Sequence, residues 1–561
     1  MKSAASIEED TRGSIMKRFI EEHGWETFDL VVIGGGITGA AVAYDAASRG
    51  LSVALVEKGD FGGATSSATS KMIHGGLRYL ATMELGLVRE SLRERKMMEN
   101  IAPNFVYPVP FMFATGKQRL SNRRWFIEIG MVLYDILSFD KGWTWDKSKK
   151  IPLHRNLSAR RVLELEPNVK REGLTGAAIY YDCQSIFPER LTLAFIKSAI
   201  RHGAKVANYA KVEEFIFDRN RHVGGVKVRD LLNNTTVEVR GSLTVNCGGP
   251  WADIVLGLAQ RKPEGEQLRR SEGIHVITKS LTNSHIVGTT TKDGRHFFVC
   301  PWRGHSLIGT TDKEYVGSPD EWRVTKQAIQ ELLDTVNEYF GNFEPIRYED
   351  VIHCYGGLRP LVEDQTEDVY ATSRKYEVYD NAVDGLENLI TVEGGKYTTS
   401  RNLAAQVMKT VKKKIGKKLG KMVTDRQRLA GSEIDDMDAF LDAARRANPD
   451  FPPRAIDYLA RIYGTELDMV LEIARGNKKL AEPLNADGEM LAQVVYAIRH
   501  EMAKTLKDII LRRTGIGTLG NPGEKVLATV AETAAKELKW NRARVMKELA
   551  EARKALSMPK D

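Results

Sequence analysis

Cysteine is scarce in this chain: there are four in 561 residues, Cys183, Cys247, Cys300 and Cys354. They lie far apart and no two form a CxxC pair. Neither a disulfide framework nor a zinc site is predicted, and a reducing compartment fits. The eleven histidines do not cluster with cysteines or acids at ligand spacing, and there is no HExxH, so metal binding finds no support. Long apolar runs are missing too. Each breaks at a charge or a glycine well short of the roughly 20 residues a membrane span needs. The first 27 residues do not read as a signal peptide, because Glu8, Glu9, Asp10, Arg12, Lys17 and Arg18 interrupt any apolar core. There is no GxxxxGK[ST] loop and no zinc-finger, RNA-binding or basic-heptad signature.

What is there is an ordinary globular composition, 42% hydrophobic and 28% charged, over a length that calls for two or three domains. The net charge of +8 is a modest basic excess. It suits an acidic substrate or an anionic membrane surface. Nucleic acid is the weakest of the possible partners, since no motif for it is present.

The run Phe28-Asp29-Leu30-Val31-Val32-Ile33-Gly34-Gly35-Gly36-Ile37-Thr38-Gly39 carries the strongest local signal. A strand is predicted at Asp29–Ile33, a helix from the glycine turn to about Arg49, and a second strand at Ser52–Glu57. Gly34 allows the tight turn, Gly36 lets backbone N–H groups approach a pyrophosphate, and Gly39 lets helix and strand pack closely. The helix N-terminus favours the phosphate charge. Glu57 ends the second strand at the spacing expected of a carboxylate that binds a ribose hydroxyl, which disfavours a 2′-phosphate and hence NADP. The motif alone leaves FAD and NAD open. The layout leans to a long enclosed cofactor, because Thr65–Gly76 and two distant strand-to-glycine junctions, Gly248-Gly249 and Gly394-Gly395, can return to it.

Further along, strands are predicted at Val206–Asn208, Val212–Phe217, Gly224–Arg229, Leu243–Asn246, His296–Cys300, Ser306–Gly309 and Leu389–Val392. Helices are predicted from about Glu84 to Ile101 and from about Thr399. A lysine cluster (Lys412, Lys413, Lys414, Lys417, Lys418, Lys421) follows, and beyond about Asp435 the pattern turns helical, with a 3.6-residue apolar period at Ala455, Leu459, Ile462 and Tyr463.

The run Thr65-Ser66-Ser67-Ala68-Thr69-Ser70-Lys71-Met72-Ile73-His74-Gly75-Gly76-Leu77-Arg78-Tyr79-Leu80 resembles a signature of the FAD-dependent glycerol-3-phosphate dehydrogenases, within the wider glycine oxidase/D-amino-acid oxidase class. Further blocks match in order: Gly248-Gly249-Pro250-Trp251, Gly273-Ile274-His275, Pro301-Trp302, Gly309-Thr310-Thr311-Asp312, Gly357-Leu358-Arg359-Pro360-Leu361 and Gly394-Gly395-Lys396-Tyr397-Thr398-Thr399. The resemblance covers roughly residues 27 to 405 and continues more loosely through Arg499-His500-Glu501-Met502-Ala503. Two stretches depart from it. Cys247-Gly248 stands where the family often has Ala-Thr, and Phe187-Pro188-Glu189 stands where it often has Asp-Asp-Ala, near the expected substrate side.

The resemblance implies an α/β fold: a Rossmann-like FAD-binding domain, an α+β substrate (cap) domain and a C-terminal helical domain. The expected division is 1–26 as an extension, 27–430 as the oxidoreductase region and 431–561 as the helical domain. FAD-binding segments are expected at about 27–105, 190–255 and 350–410. FAD contacts are expected from Gly34, Gly36, Ile37, Thr38, Gly39, Glu57, Thr65, Ser66, Ser67, Ser70, Lys71, His74, Gly75, Gly76, Val212, Gly248, Gly249, Gly395, Tyr397 and Thr398.

The implied reaction is oxidation of sn-glycerol 3-phosphate to dihydroxyacetone phosphate, with a hydride passing from C2 to flavin N5 and electrons going on to quinone. A phosphate substrate asks for forked cationic donors. Arg359 is expected as the main clamp, with Arg78, Tyr79 and Thr310 supporting it. Lys396 would place charge beside the flavin or the substrate. His275 is the candidate base, an imidazole suited to that work but equally a satisfied core histidine. His74 is a second imidazole near the flavin. The family also implies peripheral attachment to the cytoplasmic membrane. The stretch from Arg123 and Arg124 through Trp125, Phe126, Ile129 and Tyr134 fits an interface-lying helix, though core packing or a homodimer contact would explain it as well. The lysine cluster reads more simply as a solvated linker. Oxygen as acceptor, an amine or amino-acid oxidase, and a non-catalytic dinucleotide-binding scaffold are the competing accounts.

Overall fold

A computed structural model of the chain describes residues 16–22, 27–80, 82–117, 123–260, 268–291, 296–361 and 376–560. The apolar run Phe28–Ile33 is the central strand β1 of a mostly parallel sheet. The glycine turn leads into helix α1 (Ile37–Ser48), and the chain returns as β2 (Val53–Val56), parallel to β1. On the other flank of β1 lies the second half of β10 (Thr235–Asn246), then β18 (Leu389–Gly394) and the antiparallel edge strand β17 (Tyr376–Asp380). Beyond β2 lies β7 (Lys205–Ala207). The first half of β10 leaves the sheet and pairs antiparallel with β9 (Val223–Asp230), which pairs with β8 (Ala210–Phe217).

The alternation of β1 explains the layers. Leu30 and Val32 join a core made with α1, with the helix Pro188–Arg201 and with the helix Ser400–Lys414. Val31 and Ile33 face the opposite way, onto Phe215, Val226 and Val239 of the β8–β9–β10 meander. A strand buried on both faces reads as a near-continuous apolar run, and here only Asp29, paired with Ser52 and Lys417 at the strand's start, interrupts it.

A second sheet supplies the lid of the site. It runs β15 (Lys313–Tyr315), β11 (Arg270–Lys279), β14 (His305–Gly309), β13 (His296–Trp302), β12 (Ile286–Thr290), β4 (Val106–Gly116), β6 (Leu174–Ser185) and β3 (Met72–Ile73). β16 (His353–Pro360) pairs with β11, and β5 (Arg155–Ser158) with β6. The expected FAD segment 350–410 is therefore divided. Its first strand belongs to the second sheet, because the Gly357-Leu358-Arg359 block pairs with Ser271-Glu272-Gly273.

Beyond Lys414 the chain is helical, from Met437–Ala447 to Arg542–Leu556. These helices are not a separate bead. Ile456, Leu459, Tyr463 and Met490 share one apolar core with Phe187 and Trp302. The lysine cluster is only partly a solvated linker, since Lys414 pairs with Asp380 and Glu387, and Lys417 with Asp29. Within the expected N-terminal extension, Arg18 is buried and donates to Asp230 and to the Asn208 carbonyl. Residues 1–15 and 23–26 lie outside the described ones.

Candidate active site

β1, β2, β10 and β18 all end on one side of the parallel sheet. The chain turns opposite ways on leaving β1 and β10, so a crevice opens there, where ligands of such sheets bind. A cleft of about 1540 Å³ fills it. Gly34, Gly36, Ile37 and Thr38 line it, with Glu57, Val212, Gly248, Gly249, Gly395, Tyr397 and Thr398. Gly34 sits at φ +105°, and a Cβ there would stand 2.5 Å from the Cys247 carbonyl oxygen. A Cβ on Gly39 would stand 1.9 Å from the Gly34 carbonyl oxygen. These glycines let β1, α1 and the end of β10 close to backbone distance, which leaves a bare cradle at the α1 N-terminus. The Ile37 N–H donates to Ser66 Oγ (2.9 Å), pinning the following segment against that cradle. Glu57 accepts from the Gly35 and Gly59 N–H groups at 2.6 and 2.7 Å. Burial raises its pKa, and the two backbone donors oppose that rise.

The other end of the cleft is polar and lies under the second sheet. The Arg359 Nη2 donates to Thr310 Oγ1 (2.6 Å), and its Nη1 lies 3.3 Å from Asp312. Arg359, Thr310 and Asp312 line the cleft. Strand pairing brings them together: Gly273 is opposite Gly357, and His275 is opposite both Tyr355 and Gly309. A Cβ on Gly273 would stand 2.0 Å from Arg359 Nη2, so only glycine there lets the guanidinium lie across β11. From the sheet below, Lys396 reaches over the Tyr79 ring, 3.9 Å from its centre, and donates to Ser91 Oγ (3.2 Å). The ring holds the ammonium by cation–π attraction. A glycine cradle for a dinucleotide thus opens into a pocket with two cations and a hydroxyl.

Residues 29–400 match the family model described as FAD dependent oxidoreductase, and 422–545 match the C-terminal domain of alpha-glycerophosphate oxidase. The chain belongs to the FAD-dependent glycerol-3-phosphate dehydrogenase family. A glycerol-3-phosphate dehydrogenase of Synechocystis is 34% identical over 93% of this chain and 95% of its own length. An aerobic glycerol-3-phosphate dehydrogenase of Staphylococcus saprophyticus is 32% identical over 87% of each chain. The glycerol-3-phosphate dehydrogenase of Bacillus halodurans, solved with FAD, superposes with a TM-score of 0.75 at 28% identity, over 99% of this chain and 98% of that one. FAD is the cofactor, and the glycine cradle and the enclosed length of the cleft fit it.

Within this family frame, the remaining predicted residues fall into three places. Thr65, Ser66, Ser70 and His74 line the cleft. Thr65 Oγ1 donates to the Leu358 carbonyl, tying this segment to β16 (2.6 Å). His74 Nδ1 accepts the Gly76 N–H (3.1 Å), which leaves Nε2 as the N–H donor of the neutral ring. Gly39, Gly75 and Gly76 do not line the cleft, and each sits where a Cβ would crowd its neighbours. A Cβ on Gly75 would stand 2.3 Å from both Leu92 and the Tyr134 hydroxyl.

Three expectations need correction. Ser67 and Lys71 do not line the cleft; the chain turns their side chains to its far side, where Lys71 is buried 3.5 Å from Glu189. His275 does not face the cleft either. It is 1% exposed, its Nε2 lies 2.9 Å from Ser70 Oγ, and its ring stacks on Tyr355. Burial, then the charges of Arg359 and Lys71, hold its pKa well below the usual imidazole range. The Phe187-Pro188-Glu189 departure is not at the substrate side: Glu189 meets Lys71, and neighbouring Arg190 meets Glu501 of the C-terminal helices. The Arg78 side chain lies outside the described ones.

Sequence reasoning missed Asp182. Its buried carboxylate accepts from Arg95, Tyr134 and the Gly75 N–H, and so fixes the turn beside His74. It sits mid-strand in an apolar run, and no motif marks it. Tyr355 also escaped notice, because its role exists only through cross-strand pairing with His275.

Proposed function

We propose that the chain oxidises sn-glycerol 3-phosphate to dihydroxyacetone phosphate and passes the electrons to a quinone at a membrane surface. The observation that carries this reading is the Arg359–Thr310 pair, which faces Lys396 and Tyr79 across the cleft that the glycine cradle opens into. FAD supplies the hydride acceptor, its N5, for the hydrogen on C2. Arg359 presents forked donors to the phosphate, and Thr310 and Asp312 hold that fork in place. Lys396 puts a positive charge where negative charge develops as the alcohol is oxidised. The C2 hydroxyl proton passes through Ser70 Oγ to the His275 imidazole, whose Nε2 lies 2.9 Å from that hydroxyl.

The helix α2 (Arg124–Leu137) supports a quinone over oxygen as acceptor. Its Ile127, Met131 and Tyr134 are buried, while Trp125, Phe126, Ile129 and Ile136 are exposed. Ile136 and the following Trp143 are 62% and 68% exposed. The helix thus has a second apolar face, which reaches the cleft mouth at Trp125, Phe126 and Ile129 and starts beside Arg123 and Arg124. Such a face suits an anionic bilayer surface on the cytoplasmic side. Among the described residues no helix is long and apolar enough to cross a membrane.

The deciding experiment is an anaerobic absorbance spectrum of the purified protein before and after adding glycerol 3-phosphate. The flavin band should bleach with glycerol 3-phosphate and persist with amino acids. A band that persists with glycerol 3-phosphate rejects the reading.

A further inference from the structure

A second cavity, of about 920 Å³, lies on the far side of the 63–71 segment. Ala64, Thr65 and Ala68 line both spaces, so this segment is the wall between them. Two buried polar atoms among the lining residues lack any hydrogen-bond partner: Glu189 Oε1 and His353 Nδ1. Their residues are 3% and 6% exposed. Leaving such atoms unmet is unfavourable, and native structures seldom do so without a reason. Burial pulls His353 down to a pKa of about 4, so its ring is neutral. Flat walls come from Trp322 and Tyr355. At the rim Arg323, Lys554 and Lys560 are exposed cations, and Glu189 is the only carboxylate among the described lining residues.

We propose that this cavity binds a small anion built on a flat ring that carries an N–H or O–H donor. The donor meets Glu189 Oε1, the ring lies against Trp322 and Tyr355, and the negative group stays among the rim cations. Buried unmet acceptors favour ligands able to satisfy them, and a cationic rim attracts and orients anions. The site is distinct from the catalytic cleft but touches it, because the Tyr355 ring that faces the cavity stacks on His275 and its hydroxyl donates to the Thr69 carbonyl (2.8 Å).

The test uses the FAD-loaded full chain and anilinonaphthalene sulfonate, which combines ring, N–H and one negative charge. Fluorescence titration should show one saturable site. Affinity should fall about tenfold or more in the double variant Arg323→Glu/Lys554→Glu, the scale of a lost favourable charge field. It should also fall in Ala555→Trp, which narrows the cavity at its exposed rim without changing charge. Binding untouched by both changes shows that the probe sits elsewhere and overturns the proposal. Loss in the charge variant alone means surface attraction only and overturns it too, as does the absence of saturable binding.

Discussion

Arg359 is held from both sides of its guanidinium, by Thr310 and by the Asp312 carboxylate, and it lies over a glycine. Losing a charge-assisted fork to a bound phosphate costs a few kcal/mol, so Arg359→Ala should lower kcat/KM for glycerol 3-phosphate on the order of a hundredfold. FAD content should not change, and steady-state rates with an artificial acceptor check both. Gly273→Ala should have a smaller effect of the same kind, roughly tenfold, by pushing the guanidinium aside without removing it. A Gly273→Ala enzyme with wild-type KM would show that Arg359 does not hold the substrate in this pose. His275 gives a pH prediction. Its pKa is depressed in the folded state, so its protonation should not limit kcat/KM between about pH 6.5 and 8. Removing the Arg359 charge moves the imidazole pKa upward, and the acid limb of the profile should shift to higher pH in Arg359→Ala. The same depression costs stability on the acid side. Below about pH 6.5 the unfolded chain takes up a proton that the buried ring refuses, so stability falls until the folded pKa is passed.

Three strands make the polar half of the site. β11, β14 and β16 pair side by side, so blocks of sequence far apart in the chain meet within one turn of each other. This is why the sequence shows them as separate glycine-containing islands and gives no sign that Gly273 exists for Arg359. The βαβ unit is the opposite case. Every constraint on it is local, so the strand at β1, the turn, α1 and β2 are legible from residues 28–57 alone, with ends shifted by a residue or two. The long strands β4 and β6 are not legible, since prolines at 108 and 110 and mixed polarity hide them until their pairing is seen. Helix α2 was readable as basic and aromatic, but which side is buried depends on what packs beneath it. Its outer face carries a prediction: Ile136→Ser with Trp143→Ser should weaken binding to anionic vesicles about a hundredfold or more, given roughly 1.5–3 kcal/mol for each large apolar side chain buried. Turnover with a soluble dye should stay unchanged. Equal vesicle binding by the variant would move the docking surface elsewhere.

At the scale of the whole molecule, one buried carboxylate joins the FAD-binding domain to the C-terminal helices. Asp60, three residues past Glu57, accepts from Arg512, Arg513 and Asn208. Burial would raise its pKa, but Arg513 and Arg512 outweigh that and hold it at about 2. Its contribution to stability is therefore complete above about pH 4 and is lost as the pH falls through about 2. Asp60→Ala leaves two buried guanidinium groups short of a partner and should destabilise by about 3–5 kcal/mol at neutral pH. Thermal unfolding with FAD release as a second signal checks this, and an unchanged midpoint would rule out the link.

β1 has its own consequence for how the protein is made. Its two flanking neighbours are β2, which follows at once, and β10, whose pairing half starts at Gly241; β18 completes the flank only at Leu389. At the usual pace of synthesis, about 5–20 residues per second, β1 waits roughly ten seconds or more for β10 and still longer for β18. During that interval a mostly apolar strand has one open edge and no cofactor to cover its end. The nascent chain is therefore most exposed to mispairing before the middle of the protein has left the ribosome.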